Sequence, residues 1–261
     1  MKKTALITGA TINTGVAIVE KFAAEGYDVI FTGRNPESVK TAEKQYQEKY
    51  PNANIKGYAV PSLTEEGLAN EKAVKELFEA LDQENILIET LVLNAADQGL
   101  GQKIFENPLE DFTRVLNTNV VWNYCLCEQA AKRMKDNGGG NIVFVNSNTA
   151  YRAIPDRIAY VTSKGAQLGM MRALTMDLGK YGIRVNAVLP GMIRTDRWEK
   201  NPEFYAKVPS RFTPIGDVAD GEDIADAIYY FAAHARNTTG AELVVDGGNT
   251  IQLYPVIPQG N

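Results

Sequence analysis

Short apolar runs alternate along the chain with longer segments in which apolar and polar residues are mixed. Seven of these runs have the length and β-branched content of buried strands, at residues 4–8, 28–32, 54–60, 90–94, 141–146, 183–189 and 242–246. The segments between them, such as 112–138, are long enough for helices, and several end on a C-capping glycine. This alternation predicts an α/β fold: a Rossmann-like, doubly wound parallel sheet of about seven strands with helices on both faces.

The chain shows no internal boundary. Its 261 residues contain no Pro/Ser-rich linker, no shift of composition and no repeat, so we expect one domain over residues 1–261. The net charge of −5 and the pI of about 5.1 disfavour a broad basic surface, and we expect no nucleic-acid partner. No apolar run approaches the ~18 residues of a membrane span, so no membrane partner is expected either.

The cysteines and the single histidine narrow the chemistry. Cys125 and Cys127 lie two residues apart in a helical segment and point to different sides, which predicts neither a disulfide nor a metal pair. Free thiols favour a reducing, cytoplasmic location. His234 is the one histidine of the sequence and is expected at the exposed end of a helix, which disfavours a Ser-His-Asp triad. A multi-histidine metal site would need further histidines, so we expect no metal. Another side chain must carry any catalytic proton.

The stretch "LITGATINTGVA" joins the first predicted strand to a helix. Gly9 and Gly15 bracket the turn, where exposed N–H groups and the positive helix end favour an anion such as phosphate. Thr11 and Thr14 supply hydroxyl groups for the same anion. Asn13 stands where such loops most often have glycine, but asparagine tolerates left-handed backbone angles and need not close the loop.

A stronger chemical signal is "AYVTSKGAQ". Tyr160 and Lys164 are four residues apart in a helical stretch, which places the phenol and the ammonium on one face. A neighbouring cation favours phenolate, so we expect the pKa of Tyr160 to be lowered toward neutral pH. Ser147 ends the fifth predicted strand, and in a parallel sheet it should meet Asn94 and Gly9 at the carboxyl edge.

Together these motifs resemble the classical short-chain dehydrogenase/reductase family over nearly the whole chain. The matching stretches are "TGATINTG", "LNAA", "NTNVVWN", Ser147, Tyr160-Val-Thr-Ser-Lys164, "NAVLPGMIRTD" and "VVDGG". The resemblance implies an oxidoreductase that interconverts a carbonyl and an alcohol by hydride transfer with a nicotinamide dinucleotide. Its implied substrate is a small carbonyl or alcohol molecule.

The resemblance also implies roles for individual residues. Tyr160 would transfer the proton, Ser147 would polarise the substrate oxygen, and Lys164 would bind the nicotinamide ribose and lower the tyrosine pKa. Asn119 would hold a water that links Lys164 to solvent. The implied dinucleotide site comprises Gly9, Thr11, Asn13, Thr14, Gly15, Gly33, Arg34, Ser62, Asn94, Ala95, Ala96, Tyr160, Lys164, Pro190, Gly191, Ile193 and Thr195.

The second strand bears on the choice of dinucleotide. An NAD enzyme usually ends this strand with an acid that accepts from the ribose 2′-hydroxyl, but here Gly33 stands there and Arg34 follows. A guanidinium grips a phosphate through paired hydrogen bonds, so we expect NADP(H) to be preferred over NAD(H).

Several features depart from the family pattern around the dinucleotide. Asn13, Leu93, Ala96 and Ser62 replace the residues usual at their positions. The halohydrin dehalogenase group keeps the serine and tyrosine of this fold but has arginine for the lysine and binds halide instead of nicotinamide. A cofactor-independent dehalogenase and a non-catalytic dinucleotide-binding scaffold are therefore the alternatives. The presence of Lys164 and "PGMIRTD" argues for the dehydrogenase.

Two segments bear on the substrate and on assembly. Residues 192–212, with Trp198, Phe204, Tyr205 and Phe212, predict a substrate lid, and Tyr151, Arg152 and Arg197 are candidate polar contacts. The tail 249–261 is apolar at Ile251, Leu253, Tyr254, Val256 and Ile257, so we expect it to lie against a neighbouring subunit. The resemblance implies a homotetramer. A sterol, a sugar or polyol, and an acyl ketone remain open as substrates.

Overall fold

All strands of the structure, a computed structural model that describes residues 2–101, 103–106, 108–205 and 211–255, lie in one sheet. They are β1 (Thr4–Ile7), β2 (Asp28–Gly33), β3 (Ile55–Ala59), β4 (Thr90–Leu93), β5 (Gly140–Val145), β6 (Ile183–Pro190) and β7 (Glu242–Val245). The sheet is parallel, with the order β3-β2-β1-β4-β5-β6-β7. The predicted seven-stranded α/β fold is confirmed.

The helices cover both faces of the sheet. They are α1 (Thr14–Ala24), α2 (Pro36–Lys49), α3 (Glu71–Gln83), α4 (Leu109–Leu116), α5 (Trp122–Asp136), α6 (Ile158–Leu178), α7 (Asp196–Lys200), α8 (Pro202–Tyr205) and α9 (Gly221–Tyr229). The segment 112–138 is not a uniform helix, because a π-helical turn, Asn117–Val121, separates α4 from α5. A second π-helical turn, Tyr230–His234, follows α9.

Two apolar cores form, one on each face of the sheet. Along β1, Ala5 and Ile7 face the core beneath α1, α2 and α9, whereas Leu6 faces the core beneath α3, α5 and α6. Phe22 is buried in the first core and Phe78 in the second. Because both faces of each central strand are buried, the strands read as continuous apolar runs in the sequence.

The strand order reverses at β1. This strand pairs with β2 on one side, with Thr4 opposite Asp28, and with β4 on the other, with Ala5 opposite Thr90. Connections leave the two sides of β1 in opposite directions, which opens a crevice outside the carboxyl ends of β1 and β4. The residues that follow these strands therefore define the candidate site.

The structure also bears on the cysteines, the histidine, and the possibility of membrane-spanning helices and metal sites. Cys125 and Cys127 are both buried and unbridged on α5, and His234 is exposed at the end of its turn. Among the residues described, no helix combines the length and the apolarity needed to cross a bilayer. In that same part of the chain, no group of His, Cys, Asp or Glu side chains is arranged to hold a metal ion.

Candidate active site

The loops after β1 and β4 are joined by hydrogen bonds. Thr8 accepts at its Oγ1 from the backbone N–H groups of Asn94 and Ala95, each at 3.0 Å. The Asn94 side chain donates at 3.0 Å to the carbonyl oxygens of Thr8 and Gly9. The "LNAA" motif thus holds the opening loop in place. The side-chain amide of Asn94 is already hydrogen-bonded to backbone carbonyl oxygens.

The two glycines of the opening loop stand where no side chain fits. Gly9 has a φ of +64°, and a Cβ there would lie 2.8 Å from the Cα of Ala95. A Cβ on Gly15 would lie 2.4 Å from the carbonyl oxygen of Gly9. Because these two residues have no side chains, the loop backbone can approach the N-terminus of the eleven-residue helix α1. This cradle fits the pyrophosphate of a dinucleotide, which needs exposed N–H groups at a helix start.

Asn13 occupies a backbone conformation different from the one expected. Its φ is +50°, as the sequence suggested, but its ψ is −135°, far from the value of about +47° in the left-handed helical region. This combination belongs to glycine, and such strain costs about 1–3 kcal/mol for another residue. The Asn13 side chain is exposed and does not cap α1.

The last residue of β2, Gly33, has little space for a side chain. A Cβ on Gly33 would lie 2.6 Å from the Thr11 methyl group and 2.7 Å from a Val39 methyl group. Arg34 is exposed, and among the described residues no hydrogen bond or ion pair engages its guanidinium. Ser62, after β3, lies 3.5 Å from the Thr118 hydroxyl group.

The catalytic candidates converge at the end of β5. Ser147 follows the strand, and its side chain acts to lower the pKa of the Tyr160 phenol on α6. Lys164, one turn further along α6, is only 2% exposed, and its Nζ lies 5.4 Å from the Tyr160 ring centroid. The Lys164 Nζ donates at 2.9 Å to the carbonyl oxygen of Val145. The sequence-predicted serine, tyrosine and lysine therefore form one cluster.

Burial sets the protonation of this cluster. It raises the pKa of Tyr160 above its usual range, although Ser147 and the charge of Arg157 act in the opposite direction. Burial also lowers the pKa of Lys164 to about 7. The expected lowering of the tyrosine pKa by Lys164 is therefore wrong for this structure, because desolvation of the phenolate outweighs the neighbouring groups.

Asn119 lies in the π-helical turn and is fully buried. Its amide donates to the carbonyl oxygen of Asp97 and to the Ser163 hydroxyl group, each at 2.9 Å, and its Oδ1 accepts from the Asp97 N–H group at 2.7 Å. Its backbone carbonyl accepts from Gln167 at 2.8 Å and from Asn123 at 3.0 Å. The Asn119 carbonyl is therefore tied to α5 and α6, and the water that the resemblance implies at Asn119 stays a prediction.

Two residues of this cluster were missed by sequence reasoning. Asn146 donates at 2.9 Å to the carbonyl oxygen of Lys164 and at 3.0 Å to the Oε1 of Gln167. The signals were present: Asn146 precedes Ser147, and Gln167 lies three residues after Lys164 on the same helix face.

The turn after β6 packs against the last strand. A Cβ on Gly191 would lie 2.6 Å from the Asp246 Cβ, so this turn also needs glycine. Burial alone would raise the pKa of Asp246, but hydrogen bonds from Thr250, Gly248 and Asn148 outweigh it and lower the pKa. Pro190 ends β6 and is buried.

The described part of the segment 192–212 begins with ordered contacts. Ile193 forms a parallel bridge with Ala219, and Thr195 precedes α7. The Trp198 indole donates at 3.1 Å to the carbonyl oxygen of Ile193. The side chains of Arg197, Phe204 and Tyr205 and the residues 206–210 lie outside the described part, so the predicted lid is seen only at its two ends.

Arg152 contacts the tail. Its guanidinium donates to the carbonyl oxygens of Asn249, Thr250 and Gln252, so it is already engaged by this chain. Ile251, Leu253 and Tyr254 are exposed, by 88%, 78% and 77%, and Tyr151 is half exposed. Val256 and Ile257 lie outside the described residues.

Comparison with known proteins gives matches that cover nearly the whole chain. Residues 9–250 match the model of a family described as Enoyl-(Acyl carrier protein) reductase. A 3alpha-hydroxysteroid dehydrogenase of Mediterraneibacter gnavus is 36% identical over 248 residues, 94% of this chain and 96% of the relative. An NADP-dependent (R)-specific alcohol dehydrogenase of Lentilactobacillus kefiri is 31% identical over 257 residues, 96% of this chain and 97% of the relative.

A solved structure shares the architecture. It is a 7 alpha-hydroxysteroid dehydrogenase complexed with NADH and 7-oxo glycochenodeoxycholic acid, with a TM-score of 0.84 and 29% identity. The match covers 96% of this chain and 95% of the other. The three relatives are named for oxidation or reduction, and one is named with NADP and one with NADH.

Proposed function

Because this chain belongs to the classical short-chain dehydrogenase/reductase family and is an NAD(P)-dependent oxidoreductase of carbonyl and alcohol groups, we propose that Tyr160 transfers the proton of its reaction. The observation that carries the proposal is the convergence of Ser147, Tyr160 and Lys164 at the carboxyl end of β5, with the buried Lys164 Nζ 5.4 Å from the Tyr160 ring centroid. The dehalogenase and scaffold alternatives are not favoured, since the relatives are oxidoreductases and the lysine is present.

The proposed mechanism follows from the positions of these groups. A bound nicotinamide supplies the hydride that the carbonyl carbon accepts. The Tyr160 hydroxyl gives its proton to the carbonyl oxygen, while the Ser147 hydroxyl donates a hydrogen bond to the same oxygen. The raised pKa of Tyr160 keeps the phenol protonated at neutral pH, as an acid requires. The Lys164 ammonium, 5.4 Å from the ring centroid, stabilises the phenolate left behind.

The substitution Tyr160→Phe tests this assignment. It removes the transferable proton but keeps the ring, so we expect kcat to fall by about 10²–10⁴-fold, the usual contribution of a positioned acid. Dinucleotide affinity, measured by fluorescence titration, should stay close to that of the parent. Tyr230→Phe, at an exposed position after α9, is the matched control. Parent-like turnover in the Tyr160 variant would refute the mechanism.

We also propose that NADP(H) is preferred over NAD(H). Gly33 supports this preference, because Thr11 and Val39 leave no room at the end of β2 for the acid that would bind a ribose 2′-hydroxyl group. The exposed Arg34 follows directly, with its guanidinium available for the 2′-phosphate. Gly9 and Gly15 would hold the pyrophosphate common to both dinucleotides.

Arg34→Ala tests the preference. Hydrogen bonds to charged groups contribute about 1.5–3 kcal/mol, so the ratio of kcat/KM for NADPH over NADH should fall about 10- to 100-fold. Activity with NADH should change little. The exposed Arg236 provides the control substitution, Arg236→Ala. A parent enzyme that favours NADH, or a ratio that Arg34→Ala leaves unchanged, would overturn the proposal.

For the substrate, we propose a bulky apolar alcohol or ketone of the hydroxysteroid type. Three loops at the carboxyl edge of the sheet expose apolar side chains: Leu100, Ile104 and Phe105 after β4, Tyr151 and Ile154 after β5, and Leu253 and Tyr254 after β7. Such exposure is typical of a surface that takes an apolar ligand. The 36% identity to a 3alpha-hydroxysteroid dehydrogenase supports the same class, and the segment 192–212 would close over it.

A substrate panel decides between the classes. Initial rates of NADPH oxidation should be highest with a 3-oxo steroid and lower with a ketohexose and with a β-keto acyl thioester. A protein that reduces only the sugar, or only the acyl ketone, would contradict the apolar assignment.

We further propose a cytoplasmic homotetramer with the tail against a neighbouring subunit. The exposed Val121 and Tyr124 on one helical face, with Ile251, Leu253 and Tyr254 of the tail, provide apolar area for subunit contacts. The two unbridged cysteines suit a reducing compartment. Light scattering at micromolar concentration should give the mass of four chains, and a monomer would refute this assembly.

A further inference from the structure

Gln167 is a buried polar side chain for which the proposed reaction gives no role. It lies on α6 and is 1% exposed. Its Nε2 donates at 2.8 Å to the carbonyl oxygen of Asn119 in the π-helical turn. Its Oε1 accepts from Asn146 at 3.0 Å and from the Lys164 Nζ at 3.3 Å. One amide thereby connects α6, β5 and the turn between α4 and α5.

The surroundings determine which way the amide of Gln167 points. In the observed orientation, its oxygen faces two donors and its nitrogen faces an acceptor. The flipped orientation would place NH₂ against the Lys164 ammonium and the Asn146 amide, and would set two carbonyl oxygens against each other. Each lost pairing costs about 1–3 kcal/mol in a buried site, so a single orientation is stable.

The Lys164 Nζ relies on neutral acceptors. It donates to the carbonyl oxygen of Val145 at 2.9 Å and to Gln167, and no ion pair of the described residues includes it. The end of β5 and the residues that follow it, Val145, Asn146 and Ser147, are uncharged, and so is Asn119, whose carbonyl oxygen binds Gln167. On α6 itself, Tyr160 lies beside it, and the Arg157 charge at the start of the helix acts on that tyrosine. Gln167 is therefore the only side-chain acceptor that the described residues offer to the Lys164 Nζ.

We propose that Gln167 is a positioning residue for Lys164: its Oε1 holds the Lys164 Nζ against the end of β5, and its Nε2 is itself fixed by the Asn119 carbonyl. The inference rests on the proposed role of Lys164 beside Tyr160. It follows that the position and the proton affinity of Lys164 depend on the group at position 167.

Two substitutions separate positioning from simple packing. Gln167→Leu keeps most of the volume but removes both polar atoms, and we expect kcat/KM to fall about 10- to 100-fold, as for a reacting group misplaced by up to 1 Å. Gln167→Glu keeps an acceptor and adds a charge, so it should recover part of the loss. The carboxylate should raise the pKa of Lys164 by about 1–3, and the pH profile should move upward accordingly.

The readout that needs no dinucleotide and no turnover is the titration of Lys164 itself. We would record it by NMR in protein carrying ¹³C-labelled lysine, with the Lys164 signal identified by its absence from Lys164→Met. Gln129→Leu is the matched control, because Gln129 is also a buried glutamine, on α5, bound to Arg133 and remote from Lys164. This control should leave the titration and kcat/KM unchanged.

The outcomes are distinct. A higher Lys164 pKa in Gln167→Glu than in the parent, with a loss of kcat/KM in Gln167→Leu, supports the proposal. An unchanged Lys164 titration in both variants overturns it, as does an unchanged kcat/KM in Gln167→Leu. If the Glu variant does not fold, the Leu variant alone decides by the same two measurements. A parent protein without carbonyl reduction, but with a Lys164 pKa that follows position 167, would refute the proposed function and leave the contact intact.

Discussion

The loop that follows β1 depends on glycines, because side chains would not fit there. The region around Lys164 depends instead on buried polar side chains that are hydrogen-bonded to one another. Gly9, Gly15 and Gly33 each lie where a Cβ would come within 3 Å of another atom. Around Lys164, buried amides such as Gln167 and Asn119 are matched donor to acceptor. The first region should therefore fail when volume is added, and the second when a partner is removed.

The largest effect is expected from Lys164→Met, because Lys164 is the exception in the second region: it is a buried cation whose described hydrogen-bond acceptors are both neutral. In the folded protein the pKa of Lys164 is about 7, against an ordinary 10.5, so the unfolded chain binds the extra proton between these values. The stability of the parent therefore rises with pH from 7 to 10.5. Methionine should abolish turnover but raise the free energy of unfolding by about 3–5 kcal/mol below pH 7, and this gain should vanish toward pH 10.5.

Urea unfolding at pH 6.5 and pH 10 measures this gain. Lys132→Met is the control, since Lys132 forms an exposed pair with Glu128 and should change stability by less than about 1 kcal/mol. A gain that does not depend on pH would mean that desolvation of Lys164 is not its source.

The next largest effect is expected from Gly15→Ala in the loop region. Its Cβ would meet the Gly9 carbonyl oxygen at 2.4 Å and the Ala10 Cα at 2.7 Å, and neither backbone atom can move cheaply. We expect a loss of about 1–3 kcal/mol of stability and weaker dinucleotide binding, measured by urea unfolding and by NADPH fluorescence.

The control is Gly169→Ala, because Gly169 lies on α6 with open space around its Cβ position. Alanine favours a helix over glycine by about 1 kcal/mol, so this variant should be stabilised. Equal losses in both variants would contradict the account of the loop as a region without room for side chains.

The smallest effect should come from Asn13→Gly, which relieves strain without adding volume. At a φ of +50° and a ψ of −135°, glycine is free of the clash that asparagine has with its own backbone. A gain of about 1 kcal/mol in the free energy of unfolding is expected, at the low end of the usual strain at such sites. If stability falls instead, the exposed Asn13 side chain makes a compensating contact, and the loop depends on more than backbone shape.

The same difference decides what the sequence could predict. The seven strands were found because buried parallel strands leave apolar runs, and Gly9 and Gly15 were found because glycine marks a backbone constraint directly. Tyr160 and Lys164 were placed on one helix face by their four-residue spacing, and Ser147 was placed at the carboxyl edge because strand ends meet there.

What the sequence did not predict depends on contacts between distant elements. The π-helical turn Asn117–Val121 leaves no local pattern that separates it from an α-helix. The pairing of Gln167 with Asn119 spans 48 positions, and the raised pKa of Tyr160 comes from burial that only the packed fold creates. Arg152 was assigned to a substrate for the same reason, because nothing local shows that it binds the tail.

The attachment of the tail determines where a label can be placed. Arg152, five positions after Ser147, holds the chain through the carbonyl oxygens of Asn249, Thr250 and Gln252, and the Asn249 amide donates at 2.7 Å to the carbonyl oxygen of Phe212. A fluorescent label on the exposed Tyr254 would thus be held on a segment that is tied to the carboxyl edge of the sheet. A label on the exposed Lys2 would instead lie at the start of β1, at the opposite edge. Labelling at Lys2 should therefore disturb the candidate site less.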